Sequence, residues 1–328
     1  MPPIALDDPR WEEEPMLNEL TVERIRAAAK TIEPYVRRTP CLERSTATVT
    51  LCLKAENLQP IGAFKLRGAF NKLLALPDDG VGVVAHSSGN HAQAVARAAQ
   101  VLGREATIVM PSTAPPVKRA RTAADGARIV EVGPDSDERA NRAHAIARDE
   151  GLHPVEPYDD VNIAAGQGTA ALELIEQAGT LDRFYAPVSG GGLMAGCSTV
   201  VRALLPDAEI VAVEPQGKDA LAQSIAKGER TRCGHSETIA DGLRCRAPGV
   251  GNWPVLQRNV DRVVSVTDGE MICAMAWALT ELRIVLEPSG AAALAAALRE
   301  GQGRCGVILT GGNAMEEHLA QAFEATRA

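Results

Sequence analysis

Lys65 lies in the run ENLQPIGAFKLRGAFNKL, Glu56 to Leu73, between the apolar pair Ala63–Phe64 and Leu66, with Gly62 and Gly68 on either side. An amine partly withdrawn from water has its charged form disfavoured and becomes a nucleophile toward a carbonyl. The plainer reading is a loop lysine beside a core phenylalanine. Three other stretches offer chemistry. SGGGLMAG, Ser189 to Gly196, follows an apolar run and opens a helical pattern. Its glycines let successive backbone N–H groups turn toward one point at a helix N-terminus, which suits a phosphate. The same glycines also suit a tight strand-to-helix turn. HSSGNHAQAVA, His86 to Ala96, places two hydroxyls, an amide and an imidazole at a helix start. That suits a carboxylate, although one such residue is enough for an N-cap. LTGGN, Leu309 to Asn313, ends a strand with Thr310, whose hydroxyl could meet a ring nitrogen, and Glu287 stands just before the small-residue helix EPSGAAALAA.

These stretches need a frame that brings them together. Thr21 reads as the cap of a helix with Val22, Ile25, Ala29 and Ile32 on one face. Short apolar runs then alternate with helical patterns: 81–87, 106–110, 127–132, 183–189, 209–215, 262–267 and 305–310. Near-continuous apolar strands between helices predict an α/β fold with parallel sheets covered on both faces. The loops singled out above follow such strands, where open α/β sheets bind ligands.

Composition narrows the function classes. The chain has 328 residues, 45% of them hydrophobic, and a net charge of −8. No basic block is present, which argues against nucleic acid and anionic membrane surfaces. No apolar run approaches the roughly 18 residues of a membrane span, and the first twenty residues lack a signal-peptide core. The seven cysteines are odd in number and form no C-x-x-C, so reduced thiols and a cytoplasmic location are expected. The histidines form no local metal-binding pair. No metal is expected, with Glu214 a weak candidate whose partner six residues on is Ala220.

A phosphate cradle, a desolvated lysine, an anion loop and a hydroxyl for a ring nitrogen together match the needs of pyridoxal 5′-phosphate. The ordered motifs GAFKLRGA, SSGNHAQA, AGQGT (165–169), SGGGLMAG, TIADGL (238–243), EPSGAAALAA and LTGGN resemble the threonine dehydratase/serine racemase group of pyridoxal-phosphate enzymes, with the tryptophan-synthase-β-like fold. The resemblance implies two open twisted parallel-sheet domains: a large cofactor-binding domain from 1–78 and 160–328, and a small one from 79–159. It implies that Lys65 carries the cofactor as a Schiff base and takes the Cα proton. Phe64 walls the ring and Asn90 meets the ring oxygen. Ser189, Gly190, Gly191, Gly192 and Leu193 hold the phosphate, with Ser189 where the family often has glycine. Thr310 meets the ring nitrogen, and Glu287 belongs to the cofactor site. Ser87, Ser88, Gly89, Asn90 and His91 bind the amino acid's carboxylate, and Arg139 corresponds to a substrate-facing arginine of racemase relatives.

The activity implied is an L-threonine/L-serine ammonia-lyase, a β-elimination giving a 2-oxo acid and ammonia, in a homodimer acting on a small amino acid. The chain ends soon after LTGGN, so a C-terminal regulatory domain is not expected. Serine racemase and 3-hydroxyaspartate dehydratase are the close alternatives. Ser88 bears on the choice, because inversion at Cα needs a proton donor on the face opposite Lys65. A β-replacement enzyme fits TIADGL and EPSGAAAL less well. A non-catalytic cofactor carrier or a nucleotide-binding protein is the remote alternative.

Overall fold

The computed structural model describes residues 18–46, 48–87, 89–234 and 236–327; Ser88 therefore lies outside the described residues. Thr21 is extended and its hydroxyl accepts from the Arg24 N–H at 3.2 Å, which starts α1 (Val22–Ile32). Ile25, Ala28 and Ile32 turn inward, so the buried stripe passes through Ala28 where periodicity pointed to Ala29. The chain continues through β1 (Cys41–Ser45), β2 (Val49–Ala55), α2 (Lys65–Leu74), β3 (Val83–His86), α3 (Asn90–Val101), β4 (Ala106–Pro111), α4 (Pro116–Ala124), β5 (Arg128–Val132), α5 (Ser136–Glu150) and β6 (His153–Pro154). It then forms α6 (Val161–Ala178), β7 (Arg183–Pro187), α7 (Gly192–Leu204), β8 (Glu209–Pro215), α8 (Ala220–Lys227), α9 (Asn252–Asn259) and β9 (Arg262–Val266). α10 (Asp268–Trp277), α11 (Pro288–Glu300), β10 (Gly303–Leu309) and α12 (Glu316–Ala325) complete it.

Two sheets result. The larger runs β1-β2-β10-β7-β8-β9, and the smaller runs β5-β4-β3-β6. All pairs are parallel except β1 with β2. The sheets are thus parallel as expected, with this one antiparallel hairpin added at an edge. β1 is mostly exposed and carries Glu43 and Arg44, so it reads as polar sequence and gives no apolar run to detect. Apolar clusters cover both faces of each sheet, for example Leu193, Met194 and Val200 on one face of the larger sheet and Leu294, Val307 and Leu309 on the other.

The strand orders fix where ligands can bind. In the larger sheet the chain moves outward from β7 to β8 and β9, then returns to place β10 on the other side of β7. In the smaller it moves from β3 to β4 and β5, then returns to place β6 on the other side of β3. Each reversal leaves a crevice at the carboxyl ends of the strands. The loops after β7 and β10 border one crevice, and those after β3 and β6 border the other.

Helix α2, which begins at Lys65, is anchored from beneath. Gly68 and Gly166 let α2 and α6 approach until a Cβ on Gly166 would stand 2.6 Å from the Arg67 carbonyl oxygen. A Cβ on Gly196 would be 2.1 Å from the Ala164 carbonyl oxygen, so α7 closes on α6 in the same way. The AGQGT motif is thus a helix-packing device, and Gln167 Oε1 accepts from the Gly68 N–H at 3.2 Å. Arg67 is fully buried and forks between Glu56 (2.7 and 2.8 Å) and Glu173 (2.8 Å). Lys54, also fully buried, reaches Glu173 at 2.6 Å.

Candidate active site

The two crevices open into one cavity of about 350 Å³. Lys65, Asn90, Tyr158, the 189–193 loop, Glu287 and Thr310 are among the residues that line it. Lys65 Nζ donates to the Pro157 carbonyl and lies 5.3 Å from the centre of the Phe64 ring. Burial lowers this amine to about 8, against a small opposing effect of Cys245. The loop that presents it is tied to the end of β10. Phe64 N–H donates to Thr310 O at 3.0 Å, and Gly312 N–H donates to Gly62 O at 2.9 Å.

Gly190 and Gly192 have a second reason to be glycine besides chain reversal. A Cβ on Gly190 would sit 2.3 Å from Tyr158 Cγ, and one on Gly192 would sit 2.6 Å from the Tyr158 carbonyl oxygen. Gly191 is left-handed, with φ 99°. The loop is further pinned by Asn252, whose amide donates to Gly190 O at 2.9 Å, and by Ser189 Oγ, which accepts from Cys245 N–H at 3.2 Å. The glycine turn read from the sequence as a candidate phosphate cradle is thus a braced turn at the N-terminus of α7.

Across the cavity, Asn90 opens α3. Its amide donates to Glu287 Oε1 at 2.6 Å, and its carbonyl accepts from Asn313 at 2.8 Å. Glu287 is buried with Oε2 unpartnered, and burial and nearby Asp241 push it up to about 7 despite Lys118 and Asn90. Lys118 is itself buried and paired with Asp241. His91 Nε2 lies 3.1 Å from Val155 O, and burial and then Lys65 drive the ring down to about 3. The neutral ring donates to that carbonyl and leaves Nδ1 as a bare acceptor. Its side chain therefore has no proton for a carboxylate, and the backbone N–H groups at the start of α3 are donors this loop has to offer. Ser87 Oγ accepts from Gly89 N–H at 3.1 Å, which leaves its own proton available to donate. Thr310 is buried and donates to Ser289 O over 3.3 Å, a long bond from a hydroxyl free to turn. Arg139 is half-buried in the wall with Nε unpartnered, and burial lowers its pKa.

A sequence profile described as "Pyridoxal-phosphate dependent enzyme" matches residues 32–311. The chain belongs to this family. It is 37% identical over 296 residues to an L-threo-3-hydroxyaspartate ammonia-lyase of Saccharomyces cerevisiae, covering 87% of this chain and 91% of that one. It is 39% identical over 307 residues to a serine racemase of Oryza sativa subsp. indica, covering 89% and 90%. The solved structure of the T.th. threonine deaminase superposes with a TM-score of 0.86 at 40% identity, covering 90% of this chain and 99% of that chain. The chain thus sits within a group of pyridoxal-phosphate ammonia-lyases and racemases.

The cavity fits that cofactor by its own chemistry. It offers one half-buried amine, a braced glycine turn at a helix N-terminus, and buried polar atoms that lack partners at Glu287 and Arg139. Gly190→Ala tests the cradle. The new methyl must displace the Tyr158 ring, and cofactor affinity is expected to fall at least about tenfold in an absorbance titration. Unchanged affinity would place the phosphate elsewhere.

Glu214 lies outside this cavity. Its oxygens accept from the Leu221 and Ala222 N–H groups at 2.8 and 3.0 Å, so it anchors the start of α8, and burial raises it to about 7. Sequence reading missed the Lys118–Asp241 pair and Tyr158. TIADGL contains Asp241, but nothing in the spacing of PPVKRARTAADG tells that Lys118 turns inward.

Proposed function

We propose that the chain is an L-threonine/L-serine ammonia-lyase, with Lys65 as the base that removes the Cα proton. The observation that carries this is the contrast between the two amines of the cavity: Lys118 is committed to Asp241, while Lys65 meets only a neutral carbonyl and is poised near neutrality. The threonine deaminase and ammonia-lyase names among the relatives support the same reading. In it the glycine turn and the first N–H groups of α7 hold the cofactor phosphate. Asn90, Glu287 and Thr310 orient the ring, and Phe64 covers it. The 87–91 loop holds the substrate carboxylate. The cofactor, when bound, supplies the electron sink for the bond broken at Cα. Lys65 Nζ takes the Cα proton and passes it to the departing β-hydroxyl, which leaves Cβ as water, and the released enamine takes up water to give the 2-oxo acid and ammonia. The large and small units divide, in this proposal, near residues 79 and 159, so that the substrate binds between the two sheets. Following 2-oxo acid release from L-threonine and L-serine tests the activity.

One observation favours a second substrate, a 3-hydroxyaspartate. Arg139 presents a desolvated guanidinium with an unpartnered Nε at the cavity wall, which a second carboxylate would satisfy. Arg139→Ala separates the cases. Loss of a charged hydrogen bond costs about 1.5–3 kcal/mol, or roughly 10–150-fold. If Arg139 reads the side-chain carboxylate, kcat/KM for threo-3-hydroxyaspartate falls by that factor, and the values for threonine and serine stay within a few-fold. Equal losses for all three substrates would reject it as a side-chain reader.

A further inference from the structure

We infer that His86, His144 and Glu156 form a site for a borderline transition-metal dication, of which Zn²⁺ is the reference case, in the wall of the active-site cavity. The inference does not depend on which amino acid the enzyme consumes. The three residues come from three elements around the smaller sheet. His86 ends β3, and β6 runs beside β3 with Pro154 opposite Val84. Val155 N–H donates to Val84 O at 2.9 Å, which carries the pairing on. Glu156 therefore stands level with His86 and on the same face, two residues beyond Pro154. That face is the one α5 covers, since Val84 packs with Ala143, Ile146 and Ala147. α5 supplies His144. The ligands thus sit on rigid, packed elements, although they are scattered along the sequence.

The geometry is close to that of a metal centre. His86 Nε2 lies 3.6 Å from Glu156 Oε2, and His144 Nε2 lies 3.3 Å from Oε1. All three donor atoms lie within 4.8 Å of one another. Donors around a four-coordinate zinc with bonds of about 2.0–2.1 Å stand about 3.3–3.4 Å apart. Each imidazole is therefore near that length from one of the two Glu156 oxygens, and rotation of the half-buried side chains brings the three donors onto one ion. His86 Nδ1 is buried without a hydrogen-bond partner, and Nε2 faces Glu156, so Nε2 is the nitrogen placed to ligate. Two imidazoles and one carboxylate suit zinc, nickel or cobalt better than magnesium or calcium. Three protein ligands leave a further position open. His86 also lines the cavity, so an ion can reach the site from there. Glu156 directly precedes Pro157, whose carbonyl holds Lys65 Nζ, so a bound ion fixes the segment that positions the amine.

The test uses holoenzyme freed of metal with a chelator and titrated with cobalt(II) chloride. Cobalt in a low-coordinate protein site gives visible bands at longer wavelength than the cofactor. One saturable equivalent per chain, displaced by zinc, is expected. His144 lies outside the catalytic machinery, so His144→Ala is expected to weaken the ion at least about tenfold while leaving metal-free turnover unchanged. Glu156→Gln, which keeps the side chain's size, is expected to weaken it likewise, and it carries the test if His144→Ala does not fold. No saturable equivalent in the folded wild type, or binding unchanged in the folded variants, would overturn the site.

Discussion

Lys65→Ala is expected to lower turnover by at least about 10³-fold and to remove the lysine-linked absorbance of the cofactor. The variant deletes the one cavity amine that is not held by a carboxylate, and it leaves the Pro157 carbonyl without its donor. Lys65→Arg keeps a cation and a hydrogen-bond donor but cannot deprotonate near neutral pH, so it should be equally inactive. Burial gives a second readout. In the cofactor-free protein the reactivity of Lys65 toward a carbonyl reagent should rise with pH to a midpoint at about 8, where an ordinary lysine titrates at about 10.4. The sign follows from desolvation, which disfavours the protonated form. A Lys65→Ala protein that retains a protein-linked chromophore and turns over normally would remove Lys65 from the chemistry.

Arg67→Met is expected to be the most damaging substitution for stability. It leaves Glu56 fully buried with only Thr39, at 2.6 Å, and the Gln59 amide, at 3.2 Å, as partners. It also strips both guanidinium bonds from Glu173. Breaking a buried ion pair from one side costs about 3–5 kcal/mol, a fall in Tm of about 5–10 °C. The pH dependence distinguishes this from a packing defect. In the wild type, burial pushes Glu56 up, but Arg67, with help from Thr39 and Lys54, outweighs it and holds the carboxyl below its usual range. That stabilisation is present above the unfolded value near about 4.3 and is lost as pH falls through the folded value. Without Arg67 the buried carboxylate favours its proton. The gap in stability between wild type and variant should therefore narrow as pH falls through the unfolded value. A gap independent of pH would show that volume, and not charge, is what Arg67 supplies.

Much of this site is legible in the sequence because glycine, lysine and N-capping residues mark places where the backbone itself does the work. The 189–193 turn, the 87–91 loop and Thr310 all follow apolar runs that did form parallel strands, and a strand order with two reversals brings their ends to one cavity. What sequence could not give is direction across distance. Lys118 and Asp241 pair although they lie 123 residues apart in the sequence, and the polar edge strand β1 carries no periodic apolar signal. The histidines show no metal spacing, yet His86 and His144 meet through Glu156, because register between β3 and β6 and the packing of α5 set their separation. His91 shows the reverse case. Its position in the anion loop was readable, but only the Val155 carbonyl reveals that its ring has no proton to give.

Elimination at a β-hydroxy amino acid with Lys65 as the base is decided by product analysis on L-serine. Holoenzyme is incubated with L-serine, and pyruvate, ammonia and both serine enantiomers are followed together. Pyruvate and ammonia are expected in equal amounts as the main products, with any D-serine minor and abolished by Ser88→Ala. Accumulation of D-serine as the main product, with little or no pyruvate, would contradict it and make the chain a racemase.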